Sequence, residues 1–118
     1  MSNNQLYHYK AFVKYVYDGD TCTVDIDLGL GTWVKGEKIR LSRINAPEIR
    51  GEERKKGLAS RDALRELIHG QDILLQTIKD KRGKYGRYIG EIWIQHNDNK
   101  INISDWLVSN NYAVYREY

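Results

Sequence analysis

Phe12-Val13 with Tyr15-Val16-Tyr17, then Cys22 to Leu28, then Glu37 to Ile44, are short runs rich in β-branched and aromatic residues, parted by glycine-containing turns. Such runs fit a pleated, half-buried surface and predict three consecutive strands. Gly29-Leu30-Gly31 and Lys35-Gly36 bracket Thr32-Trp33-Val34, which predicts a long, glycine-hinged hairpin between the second and third strands rather than a tight two-residue turn. From Lys56 to His69 the period changes. Ala59, Ala63, Leu64, Leu67 and Ile68 recur at helical spacing, and Gly70 stands where a helix would stop. Ile73 to Ile78 is mostly apolar and Tyr88 to Gln95 alternates about Ile89, Glu91, Trp93 and Gln95, so both read as strands. A second helix is expected from Ile103 to Asn110, capped by Asn102 or Ser104.

Three strands, a helix, two strands and a final helix describe a mainly β chain with α elements. A helix between the third and fourth of five strands is the order of the OB-fold, a Greek-key barrel. At 118 residues the chain has the size of one ordinary domain. Residues 1–118 are therefore read as a single OB-fold domain, with 1–8 as a polar N-terminal tail. That barrel commonly binds oligonucleotides, but a fold does not fix a chemistry, so function must be argued from particular residues.

Net charge is only +3, and its distribution says more. Lys35 to Glu66 carries ten basic and six acidic residues, and Lys79 to Arg87 five basic and one acidic, whereas Asp18, Asp20, Asp25 and Asp27 form an acidic stretch without a Lys or Arg. A polyanion is drawn to the basic flanks and a cation to the acidic notch. Cys22 is the only cysteine, which excludes an internal disulfide and is most simply a small core residue. No segment is long and apolar enough to cross a membrane, and Met1 to Lys10 lacks the apolar run of a secretory signal. The expectation is a monomer without membrane contact, cytoplasmic if the chain is complete and secreted if an upstream signal was removed.

Three segments carry candidate chemistry: Asp18-Gly19-Asp20-Thr21, Arg40 through Asn45-Ala46-Pro47-Glu48, and Lys84-Tyr85-Gly86-Arg87. Each is weak alone. Asp-Gly-Asp-Thr is a good turn sequence, a lone Glu is usually a solvated surface residue, and Arg in a strand or glycine-rich loop is usually exposed. Together they supply what phosphodiester hydrolysis needs: a base for the attacking water and positive charge against the developing phosphoryl charge. A general base offers roughly 10²–10⁴-fold, about 3–5 kcal/mol, against accelerations that commonly require about 8–23 kcal/mol. Most of the effect must then come from a metal and fixed cations.

In this order and combination, the segments resemble the staphylococcal nuclease (thermonuclease) family from about Tyr15 to about Ala113. The resemblance implies that Asp20, the Asn45 side chain and the Ala46 backbone carbonyl hold Ca²⁺, that Glu48 is the general base, and that Arg40 and Arg87 clamp the phosphate. It implies hydrolysis of DNA and RNA to 3′-phosphate ends, with Lys84 and Tyr85 at a neighbouring phosphate. The family usually has aspartate where this chain has Asn45. An amide oxygen still ligates calcium, but affinity follows ligand charge count, so weak Ca²⁺ binding is expected. Glu117 falls where the family places a nucleotide-contacting tyrosine, so Tyr115 and Tyr118 do not take that role by register, though an aromatic face accepts any base.

The competing reading is a non-catalytic or weakly active OB module that binds single-stranded nucleic acid. Retention of Asp20, Glu48 and both arginines argues against it, because binding needs no base. The nine tyrosines and three tryptophans have an alternative role as core, which is the expectation for Trp93 and Trp106 and is open for Trp33.

Overall fold

The computed structural model describes residues 7–82 and 86–116, the side chains of 79–82 excepted. Strands β1 (His8–Asp18), β2 (Thr21–Gly29) and β3 (Thr32–Leu41) form an antiparallel meander. A two-residue β4 (Ile44–Asn45) follows, then a 3₁₀ turn (Gly51–Glu53) leading into α1 (Arg54–Ile68). After β5 (Asp72–Arg82) and β6 (Tyr88–His96) come a short β7 (Asn99–Asn102), α2 (Ile103–Ser109) and β8 (Val114–Tyr115).

The sheet order β3-β2-β1-β5-β6 closes on itself because β3 also pairs with β6, in parallel, through Ile39↔Tyr88, Arg40↔Ile89 and Leu41↔Gly90. The result is a closed five-stranded OB barrel with α1 between the third and fourth barrel strands, as the element order predicts. Helix α1 lies against β1, and its end is tied down where Gly70 N–H donates to Val13 O and Val13 N–H to Gln71 O.

The core is aliphatic. Val13, Val16, Val24, Ile39, Leu41, Leu75 and Ile92 from the barrel meet Leu64 and Ile68 of α1 and Ile103 and Leu107 of α2. Each such side chain contributes about 1.5–3 kcal/mol by leaving water. Among the described residues no aromatic side chain is fully buried. Trp106 packs on the edge of the core, as expected, whereas Trp93 does not join it and instead stacks on His8 at 6.2 Å.

Three details differ from the sequence expectations. The β2–β3 connection is a tight turn, not a long hinge: Gly29 pairs with Thr32, and Leu30 and Gly31 both take positive φ, the twist a two-residue hairpin requires. Lys35-Gly36, taken for the other hinge, is a bulge inside β3, where Gly36 N–H donates to Asp25 Oδ1 at 3.0 Å. Strand β1 starts at His8, paired with Gln76, inside the segment assigned to the tail. Asn102 rather than Ser104 caps α2. Its side chain accepts from Asp105 N–H at 3.0 Å, while the Ser104 hydroxyl donates to Ser42 O.

Candidate active site

Asp18 pairs with Thr21, so Gly19-Asp20 is the turn between β1 and β2. A Cβ on Gly19 would lie 2.7 Å from Ser60 Cβ and 2.8 Å from Ala46 Cβ. The missing side chain is what lets the turn press onto α1 and onto the Asn45–Glu48 segment. Asp20 is thereby buried, yet its carboxylate is well partnered. Oδ1 accepts the Thr21 hydroxyl at 3.1 Å, Oδ2 accepts Ala46 N–H at 2.8 Å, and Arg40 Nη2 lies 3.3 Å from Oδ2.

Arg40 sits on β3 directly opposite Thr21. Its Nη1 donates to Leu41 O at 2.8 Å and its Nη2 to Asn45 Oδ1 at 3.3 Å, which fixes the guanidinium plane. Because arginine only donates, the Asn45 amide presents its oxygen, not its NH₂, on the Asp20 side. Arg87 reaches the same point from beyond β5, its Nη1 donating to Thr21 Oγ1 at 3.4 Å. The Thr21 hydroxyl thus joins Asp20 to Arg87.

Glu48 follows Pro47 and is exposed, while its main chain is wedged against α1. A Cβ on Gly57 would fall 2.0 Å from Glu48 O. A cleft of 760 Å³ is lined by Asp20, Arg40, Asn45, Ala46, Glu48 and Arg87 together, so the structure brings together every sequence-identified site residue it describes. Lys84 and Tyr85 lie outside the described residues.

Asp18 and Thr21 of the first motif line the same wall, which also holds residues that the motifs leave out: Lys38 and Arg116, with Tyr15, Tyr17 and Thr23 beyond them. Strand parity was the available signal for Lys38, two residues before Arg40 and hence on its face. Arg116 arrives through the Arg116 N–H to Arg43 O bond and the β4–β8 pairing, which nothing local announces. Asp18 is held at a carboxyl pKa of about 7, by burial first and the neighbouring Asp20 carboxylate second. At neutral pH the pair retains a proton for much of the time.

The family model described as staphylococcal nuclease homologue matches residues 38–118, well over half of the chain. The chain belongs to that family. Staphylococcal nuclease homologues are typically nucleases acting on nucleic acid, usually with calcium, which makes phosphate-ester hydrolysis the reference chemistry for this cleft. The matched region begins after Asp20, and the barrel itself carries that residue to the matched part through Ala46 and Arg40. A comparison with curated proteins gives no match. Among the described residues, no helix is long and apolar enough to cross a membrane.

The donor set can be tested against calcium. That ion takes six to eight oxygen ligands, and the Asp20 carboxylate, Asn45 Oδ1 and the Ala46 carbonyl belong to residues converging on one wall of the cleft. Burial is the main cause of the raised Asp18 pKa, and the neighbouring Asp20 carboxylate, the lesser cause, is the part a cation would relieve. The residues fit a hard cation, with few charges to hold it. Among the described residues no three His, Cys, Asp or Glu side chains gather at one point.

Proposed function

We propose that this staphylococcal nuclease homologue is a calcium-dependent phosphodiesterase acting, as a monomer, on single-stranded DNA or RNA. The observation that carries the reading is the convergence of Asp20, Arg40, Asn45, Ala46, Glu48 and Arg87 on one cleft. Glu48 removes a proton from the attacking water as the water oxygen bonds to phosphorus. The bond from phosphorus to the 5′ oxygen breaks, and that oxygen takes up a proton, leaving a 3′-phosphate and a 5′-hydroxyl. Arg40, fixed by Leu41 O and Asp20, and Arg87, fixed by Thr21, donate to the phosphoryl oxygens as their charge grows. Asp20, Asn45 and the Ala46 carbonyl hold the calcium, which when bound supplies Lewis-acid stabilisation of phosphoryl charge. Lys84 and Tyr85 contact a neighbouring phosphate by the resemblance alone.

Both arginines are preorganised by protein acceptors, so little reorganisation is needed when charge develops. Arg40 must loosen one tie, because its Nη2 donates to an Asn45 oxygen that the cation also needs. Digestion of single-stranded DNA in millimolar Ca²⁺, in EGTA, and by a Glu48→Gln variant tests the reading. Cleavage should vanish in EGTA and fall about 10²–10⁴-fold in the variant. Digestion that survives both overturns the calcium and Glu48 mechanism, and digestion absent in Ca²⁺ leaves the second reading, a binding module, which the neutral Asn45 ligand favours.

A further inference from the structure

We infer that Tyr15 and Tyr17, with Lys38 across the sheet, form a stacking subsite for an unpaired base next to the phosphate held by Arg40 and Arg87; the inference rests on the reading of the cleft just proposed. The register places two rungs on one face of the barrel. Asp18, Thr21 and Arg40 face one another across β1, β2 and β3, and Tyr15, Thr23 and Lys38 form the next rung on that face. Two residues along a strand advance about 7 Å, so the second rung lies one short step from the phosphate clamp. Both rungs open on the same cleft.

The tyrosines are not core. Tyr15 is 50% and Tyr17 45% exposed in a barrel whose buried core holds no aromatic side chain among the described residues. Tyr15 is also braced from behind. The Arg65 guanidinium lies 5.5 Å from its ring centroid, and Arg65 is itself held by Val16 O through Nε at 3.2 Å and Nη2 at 3.1 Å. One side of the ring is thus supported on a fixed cation, while the residue stays half exposed and lines the cleft. A braced aromatic beside a lysine suits a base with its phosphate, and it prefers single strands because duplex bases are already stacked on each other. Every base has such a face, so the subsite selects unpaired over paired rather than one base over another.

Fluorescence anisotropy in EGTA, at fixed salt, with a labelled twelve-nucleotide oligothymidylate and an abasic strand of equal length tests the subsite. Tyr15→Ala and Tyr17→Ala should each weaken oligothymidylate binding about 5- to 150-fold, the range for losing one stacked base, and leave abasic binding within twofold. Tyr17→Phe should retain affinity, and Tyr15→Leu and Tyr17→Leu, which keep the barrel wall covered, should reproduce the alanine pattern. Lys38→Met should weaken both strands alike. Equal loss on both strands for the tyrosine variants, no loss on oligothymidylate, or a phenylalanine variant as weak as alanine overturns the subsite. Failure of the nuclease reading appears elsewhere, as wild-type protein that cleaves nothing in Ca²⁺ while this discrimination persists.

Discussion

Gly57→Ala is the substitution whose outcome the geometry decides most sharply. Gly57 lies in the first turns of α1 with ordinary helical φ, so alanine is conformationally allowed there and, by helix propensity alone, should stabilise by about 1 kcal/mol. Packing says the reverse. The added Cβ would stand 2.0 Å from Glu48 O, 2.4 Å from Glu48 C and 2.8 Å from Ile49 N, all of them backbone. Reaching even the 3.0 Å that real Cβ atoms respect requires the helix and the Glu48 segment to part by about 1 Å. Overpacking of this kind typically costs about 1–3 kcal/mol. A misplacement of about 1 Å near a reacting group is enough to cost about 10²-fold in rate. The expected result is a net loss of about 0–2 kcal/mol in urea unfolding and a kcat for calcium-dependent cleavage lowered about 10²-fold. KM should change less, because Arg40 on β3 and Arg87 are not carried by the displaced segment. Ala59→Gly, at an exposed site of the same helix, calibrates the propensity term without a clash. A Gly57→Ala protein that is about 1 kcal/mol more stable with unchanged kcat would refute the wedge between α1 and Glu48.

Asn45→Asp restores a charge to the donor set and should tighten Ca²⁺ binding about tenfold or more, about 1.4 kcal/mol, by calorimetry; an unchanged Kd removes the argument from ligand charge. Arg43, at positive φ, binds both Glu91 oxygens at 2.7 and 3.0 Å and Asp105 Oδ1 at 2.9 Å. Arg43→Ala should cost about 1–3 kcal/mol in urea unfolding, with the half-exposed pairs at the low end, and Arg43→Lys should not restore it for want of the guanidinium fork. A stable lysine variant would refute the fork's role. Burial pushes the Cys22 thiol up from 9.0 to about 12, with the Asp18 carboxylate a lesser cause. Its contribution to stability is complete below pH 9, where the unfolded thiol is also neutral, and is lost as pH rises from 9 towards 12. Cys22→Ala should flatten that alkaline decline in urea midpoints, and a slope identical to wild type counts against the assignment.

Much of the architecture was legible because burial has a period. The alternation in β6 is a clear case. Gly90 and Ile92 point inward, and Trp93 shares its parity with Glu91 and Gln95, so its outward placement could have been read from the strand instead of from its hydrophobicity. The α1 face was legible at Leu64 and Ile68 but not near the helix start. There Gly57 and Ser60, not Ala59, are buried, because the helix approaches the Gly19 turn and the Glu48 segment too closely for anything larger. The β3–β6 closure and the β4–β8 pair join residues far apart in sequence, and no local pattern specifies them. The site follows the same division. Asp20, Arg40, Asn45, Ala46, Glu48 and Arg87 are named through the family resemblance that three motifs carry together, Lys38 is open to strand parity, and Tyr15 and Arg116 gain their place only from register and chain closure.

Asn45 bears on the cleft as a whole rather than on the cation alone. The wall carries Asp18, Asp20 and Glu48 against Lys38, Arg40, Arg87 and Arg116, and the proton that Asp18 keeps near neutrality tips the balance further towards positive charge. This balance should attract a strand without calcium, and an asparagine where the family usually has an aspartate should strengthen that attraction by one charge. Attraction shared by bound substrate and transition state lowers KM without raising kcat. On the reading proposed above, the acceleration has to come from what changes along the reaction: the proton that would pass to Glu48 and the phosphoryl charge that the arginines and the cation would meet. Strand binding should accordingly persist in EGTA with the steep salt dependence of phosphate contacts, while cleavage is lost. Loss of binding together with cleavage on chelation would mean that the cation, not the basic wall, holds the strand.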